Sequence, residues 1–91
     1  MRRTTVVATP GTRLTVSLGC LMIERESSAP SRVPFEDLDC LILETTALTT
    51  SASVFIHAVK NNCVVLVCDE RHSPSGILLP LNGNSLIASR Q

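Results

Sequence analysis

Two short aliphatic runs, Cys40-Leu41-Ile42-Leu43 and Val64-Val65-Leu66-Val67, each bounded by polar residues, limit the possible folds of this chain more than any other feature. A strand that is apolar at every position, and not only at every second one, has the pattern of a strand covered on both faces. The stretch between the runs holds one helix. Thr49, Thr50 and Ser51 can cap its start, and Ala52, Phe55, Ile56 and Val59 recur at i, i+3, i+4 and i+7, a stripe predicted to face a sheet. Lys60 suits the negative end of the helix dipole, and Asn61-Asn62 can take the left-handed conformation that ends it. Strand, helix, strand is a crossover unit, so the two runs are predicted to be central, parallel neighbours with a right-handed connection.

The flanking segments read as shorter strands. Thr4 to Ala8 is dense in β-branched residues, and Arg13 to Leu18 alternates strictly, with Leu14, Val16 and Leu18 on one side. Between them Thr9-Pro10-Gly11-Thr12 has turn chemistry, which predicts a hairpin. Gly19 breaks the run before a third strand, Cys20 to Glu26, so the opening region is predicted to be a three-stranded meander. Ser27 to Ser31 is a polar loop, and Pro34 limits Arg32 to Phe35 to a brief edge strand. Ile77 to Leu81 reads as the last strand, Asn82-Gly83-Asn84 as a turn and Ser85 onward as a polar tail. The predicted class is α+β, mainly β: a small mixed and antiparallel sheet domain, built from a meander and a crossover, with one amphipathic helix. Residues 1–84 form the predicted domain and 85–91 the start of a linker.

Composition narrows the function. A 91-residue chain fits one domain, and no apolar run approaches the roughly 20 residues of a bilayer span. Met1-Arg2-Arg3-Thr4-Thr5 leads into alternation and not an apolar stretch, which argues against a secretory signal; a cytoplasmic location is expected. There the four cysteines, Cys20, Cys40, Cys63 and Cys68, are expected as thiols, and Cys63 and Cys68, five apart on one strand, should point to opposite faces. Eight basic and eight acidic side chains cancel, so no overall positive field attracts nucleic acid. The distribution is uneven: Arg2, Arg3 and Arg13 stand without an acid in residues 1–13, whereas Glu24 to Glu44 holds six acids against two arginines. Any polyanion contact is therefore expected near the amino end. With only Phe35 and Phe55 as aromatic residues, base stacking has no platform.

The densest reactive cluster is Cys68-Asp69-Glu70-Arg71-His72, directly after a buried run, where α/β folds often place ligand groups. Asp69 with His72 suggests acid/base work, but no activated nucleophile or cradle of backbone donors accompanies them, and a charged, solvated loop is the favoured reading. His57 lies two positions beyond Phe55, toward the rim of the helix stripe or solvent. Glu36, Asp37 and Asp39 lack the longer ligand series of a calcium loop, and Asp37 reads as a turn residue. Gly76 and Gly83 fit neither a phosphate loop nor a dinucleotide fingerprint and read as turn glycines.

Taken in order, Val33-Pro34-Phe35-Glu36-Asp37-Leu38-Asp39, Leu41-Ile42-Leu43-Glu44-Thr45, Cys68 through Gly76 and Leu78-Leu79-Pro80-Leu81-Asn82-Gly83-Asn84 resemble the CRISPR adaptation integrase, and more narrowly its type II form. The resemblance runs from Arg3 to the end and covers the family's amino-terminal β domain; members continue through a linker into a larger helical domain. It implies a protein that cuts and joins DNA, inserting spacers into a repeat array with a divalent metal, Mg or Mn, held in the helical domain. No catalytic or metal-binding position of the family maps onto this chain, and none is assigned. The resemblance implies a β domain that builds the homodimer and lends part of the surface along which duplex DNA lies, with the small ferredoxin-like protein of the adaptation module as a further partner. Some relatives place a ring side chain in the first hairpin turn, against the duplex end. Thr9-Pro10-Gly11 stands there in this chain, so Pro10 and the flanking Arg3 and Arg13 are the expected DNA contacts. Two other readings remain open: a stand-alone β module that binds a protein through a sheet edge, and a small thiol or metal enzyme.

Overall fold

The computed structural model describes residues 4–81. Arg3, the Asn82-Gly83-Asn84 turn and the tail with its boundary at residue 84 lie outside the described residues. The elements are β1 (Thr4–Ala8), β2 (Arg13–Ser17), β3 (Cys20–Glu24), β4 (Ser31–Pro34), a 3₁₀ turn (Phe35–Asp37), β5 (Leu38–Leu43), α1 (Ala52–Lys60), β6 (Val64–Cys68) and β7 (Pro74–Leu78). They form a mixed four-stranded sheet of order β1-β5-β6-β7 and an antiparallel three-stranded sheet of order β2-β3-β4. The mainly β, α+β class is as the sequence predicts.

The two aliphatic runs are the central strands and pair in parallel, Leu41 beside Val65 and Ile42 beside Leu66, with α1 in the connection between them. The opening region departs from the prediction. β1 does not form a hairpin with β2 but lies parallel to β5, Val6 beside Leu41 and Ala8 beside Leu43. The meander is β2-β3-β4, one strand later than expected. Thr9 to Thr12 does turn, with Thr12 N–H donating to Thr9 C=O at 3.2 Å and Gly11 in the left-handed region at φ 84°. Local turn chemistry sets a change of direction and not the partner; Val6 and Ala8 are buried beside β5, and that placement decides where β1 goes.

One core joins both sheets and the helix. Val6, Ala8, Leu41, Leu43 and Val65 of the mixed sheet pack with Leu14, Leu21 and Ile23 of the other sheet and with Val54 and Ala58 of α1. The three-stranded sheet and the helix thus cover the same face of the mixed sheet. Among the described residues the central strands are covered on that face alone, not on both as their sequence predicts: Cys40, Ile42, Val64 and Leu66 are only half-buried.

The helix is turned relative to its predicted stripe. Val54 and Ala58 are its buried residues, Phe55 and Val59 are half-buried, and Ala52 and Ile56 are exposed. Six of its nine residues are apolar, so 3.6-residue periodicity alone did not choose between neighbouring faces. Ser51 is the N-cap without a side-chain hydrogen bond, and Asn62 takes the left-handed conformation at φ 61°. Smaller corrections concern β7, which runs Pro74–Leu78 and not 77–81, and Gly76, which lies within that strand and not in a turn. Cys63 and Cys68 are both buried, Cys63 as part of the core cluster and Cys68 outside it; the ladder slip beside Val67 and Cys68 puts its extra residue, Ser75, on β7.

The β2–β3 turn is a two-residue loop, Leu18-Gly19, with Ser17 opposite Cys20 and both loop residues at positive φ, 51° and 74°. This geometry suits Asn-Gly, yet the first position holds a leucine that is 90% exposed. Leu18→Asn is therefore expected to raise stability by about 0.5–1 kcal/mol, whereas Leu41→Ala, which empties a fully buried site, should cost about 2–5 kcal/mol. Urea unfolding midpoints of the two variants check both signs.

Candidate functional site

Because β1, β5 and β6 are mutually parallel, their carboxyl ends gather three loops at one edge of the mixed sheet: Thr9 to Thr12, Glu44 to Leu48, and Asp69 to Ser73. Backbone bonds fasten the first two together, Gly11 N–H to Ala47 C=O at 2.8 Å, Thr49 N–H to Thr12 C=O at 3.0 Å and Leu14 N–H to Thr49 C=O at 2.8 Å. The third is tied to the second by His72, whose Nδ1 meets Glu44 C=O at 3.0 Å. Since a carbonyl only accepts, Nδ1 carries the proton in this contact. His72 itself sits at φ 63°.

Asp69 and His72 are thus brought to one loop, but in architectural roles. Asp69 Oδ1 accepts Arg71 N–H at 2.9 Å and Ser73 N–H at 3.0 Å, and the Asp69 carbonyl accepts His72 N–H at 2.9 Å. Donation from Ser73, then from Arg71, holds the Asp69 carboxyl below its ordinary pKa. His57 lies half-buried, its ring 5.5 Å from that of Phe35, with Nδ1 donating to Ser53 C=O at 2.9 Å. A cleft beside the β2–β3 turn is lined by His57 with Cys20, Glu36 and Asn61. Among the described residues, however, no three His, Cys, Asp or Glu side chains group so as to hold a metal ion. The donor set therefore does not fit the divalent ion that the family resemblance implies, and no metal-dependent step is derived for these residues. Burial, then the Asp39 carboxylate, raises the Cys40 thiol above its ordinary pKa, the opposite of an activated nucleophile.

Of the predicted DNA contacts, Arg3 lies outside the described residues. Pro10 is exposed at the tip of the first turn and Arg13 is exposed at the start of β2, on either side of the buried Thr12. Sequence reasoning did not find the larger surface features, which are apolar. Val7, Ile42, Leu66 and Ile77 stand in register across all four strands on the face away from the core. On the core side the helix covers β6 and leaves β7 bare, so Ala52, Phe55, Ile56, Val59, Leu78 and Leu79 line an open groove. The signal for the first surface was present in the unbroken aliphatic runs, whose second face the described residues do not cover.

Two measurements check this account of the loops. The backbone amide shifts of Arg71 and Ser73 should titrate with Asp69 at a pH below the ordinary carboxyl value of about 3.9, and Asp69→Asn should abolish that titration. A lowered folded-state pKa stabilises the fold above the unfolded pKa, and this contribution is lost as pH falls through the folded value. Thr12 Oγ1 is buried with no hydrogen-bond partner among the described residues, so Thr12→Val should be neutral or stabilising by about 1 kcal/mol in thermal unfolding.

The fold has solved counterparts. The chain superposes on a Cas1 protein from Thermotoga maritima with a TM-score of 0.69 at 10% identity, over 86% of this chain and 26% of that one. It matches a partial Cas6-RT-Cas1–Cas2 complex with a TM-score of 0.75 at 13% identity, over 89% and 24% of the respective chains. For a TtCas1–DNA complex the TM-score is 0.70 at 13% identity, over 89% and 30%. The chain thus spans a third or less of the length of each. No curated protein sequence matches it. A family model for CRISPR associated protein Cas1 matches residues 5–91, and with nearly its whole length inside that match, this chain belongs to the Cas1 family.

Proposed function

We propose that this chain is the amino-terminal assembly domain of a CRISPR spacer-acquisition integrase of the type II form. In this reading it builds the homodimer and part of the platform for duplex DNA. The cutting and joining chemistry, with its divalent metal, belongs to a helical domain that follows the linker beginning near residue 85. The single observation that carries the proposal is the balance of the described surface in a member of the Cas1 family. It offers uncovered apolar area on both sides of one sheet, and no set of acids, imidazoles and thiols that could hold an ion. Support for the partners comes from the solved relatives, one described as a Cas1–Cas2 complex and another as a Cas1–DNA complex. The small ferredoxin-like protein of the adaptation module is the second partner in this reading. No helix of the described residues is long and apolar enough to cross a membrane, in keeping with cytoplasmic work on DNA.

Within the platform, Pro10 and Arg13 are the proposed contacts, together with Arg3. Arginine against a phosphate supplies position and not sequence choice. Arg13→Ala should weaken low-salt binding of this chain to duplex DNA equally for unrelated sequences and lower the salt slope by about 1. A gel-shift series checks this, and unchanged binding would remove Arg13 from the platform. The same preparation should show no cleavage or strand joining with Mg or Mn; cleavage by clean material would contradict the assignment.

A further inference from the structure

The cover that α1 gives the mixed sheet ends at β6, and the trough left between the helix and β7 is almost wholly apolar. One end, about 420 Å³ in volume, is lined by Val67, Gly76 and Ile77. Phe55 and Leu78 join it to a second part of about 390 Å³, lined by Ile56, Leu79 and Leu81. No charged side chain lines either part; Lys60 stands at the far end, beside Pro80 and Leu81. Ile56, Ile77, Leu78, Leu79 and Leu81 are all exposed. A single exposed apolar residue is ordinary, but a contiguous group on a soluble chain marks a contact surface.

Three kinds of occupant compete for it, and the geometry ranks them. Nucleic acid needs cations, and the lining offers none. A foreign peptide or a second copy must be drawn from solution, whereas the chain itself is already there. It leaves β7 at Leu78 and runs along the trough through Leu79 to Leu81, the last described residue. Next in sequence come Asn82-Gly83-Asn84, residue types that favour a reversal, and then Ser85-Leu86-Ile87-Ala88. Within residues 82–91, Leu86 and Ile87 are the only large apolar side chains. The stretch from Leu81 to Leu86 spans up to about 17 Å, and α1, from Ala52 to Lys60, is about 14 Å long, so a segment that turns back can reach the whole trough. A tether this short holds the segment near its seat at an effective concentration on the order of millimolar, which any untethered competitor must exceed.

We propose that the trough between α1 and β7 is the seat of this chain's own continuation, with Leu86 and Ile87 as the side chains that fill it. The bare inner face of β7 is then an internal contact, and α1 sets the direction in which the segment leaves the sheet. The assignment is independent of the homodimer and the DNA platform, and it stands or falls on the trough alone.

Methyl-labelled spectra of the 91-residue chain test it. Leu86 or Ile87 methyls should show short-range contacts with the Phe55 ring and with the Ile56 and Leu78 methyls, and isotope-filtered spectra of a mixed-label sample should place those contacts within one copy. The same contacts found between copies would give the trough to a second copy and overturn the proposal; their absence would leave it to a foreign partner and overturn it too. Ile56→Asp, which sets a charge in the trough, should abolish the contacts of Leu86 and Ile87 with Phe55, and their persistence would count against the seat. The double variant Leu86→Ser with Ile87→Ser alters residues outside the described core. It should move the Phe55 and Ile56 signals while those of Leu41 and Val65 hold, and unmoved Phe55 and Ile56 signals would overturn the proposal even if Ile56→Asp failed to fold.

Discussion

The parallel pairing of β5 with β6 is the constraint on which the rest of the molecule depends. Leu41 and Val65, side by side and fully buried, form the floor on which every other layer rests. Their backbone hydrogen bonds fix the sheet, and their side chains choose which face is inside. A parallel pair needs a crossover, and this chain uses Ala52–Lys60 for it, which places the helix over β6. β1 then has one free strand edge to join, that of β5, and the antiparallel sheet β2-β3-β4 closes the remaining half of the inner face. The layers follow from one pairing, and so does the bare area over β7, where neither the helix nor the second sheet reaches.

Much of this architecture was legible in the residues. The central strands, the helix between them and the short edge strand ending at Pro34 all announce themselves by period and by punctuation. What was not legible was partnership. Thr9-Pro10-Gly11-Thr12 specifies a reversal, and reversal by itself cannot say whether the next strand returns along the last or crosses to another sheet. The helix posed a similar problem, since an apolar arc that includes Val54, Phe55, Ile56, Ala58 and Val59 has more than one face fit to be buried. The contacts of Val54 and Ala58 with both sheets settled it, and these are long-range facts. An unbroken aliphatic run predicts burial on both faces of a central strand. The residues state only that they are apolar; whether their cover is intramolecular is not written in them.

The polar residues tell a complementary story. Asp69, His72 and the nearby backbone look like chemistry in sequence because acid and imidazole stand three apart after a buried strand. In space each is occupied: the carboxylate accepts two amide protons and the imidazole spans to Glu44, joining the ends of β5 and β6. Such bonds give exposed loops a fixed shape at the carboxyl edge of the sheet, beside the turn that carries Pro10.

The β1–β5 ladder also bears on how the chain reaches its native state. Residue 6 meets residue 41 and residue 8 meets residue 43, whereas β2, β3 and β4 pair with their immediate neighbours across short turns. Local pairs close quickly, and distant parallel ones must first overcome the entropy of a long closed loop. The antiparallel sheet is accordingly expected to form first. Among the described strands β1 has the partner most distant in sequence, so its ladder carries the largest cost of loop closure and is expected to settle late.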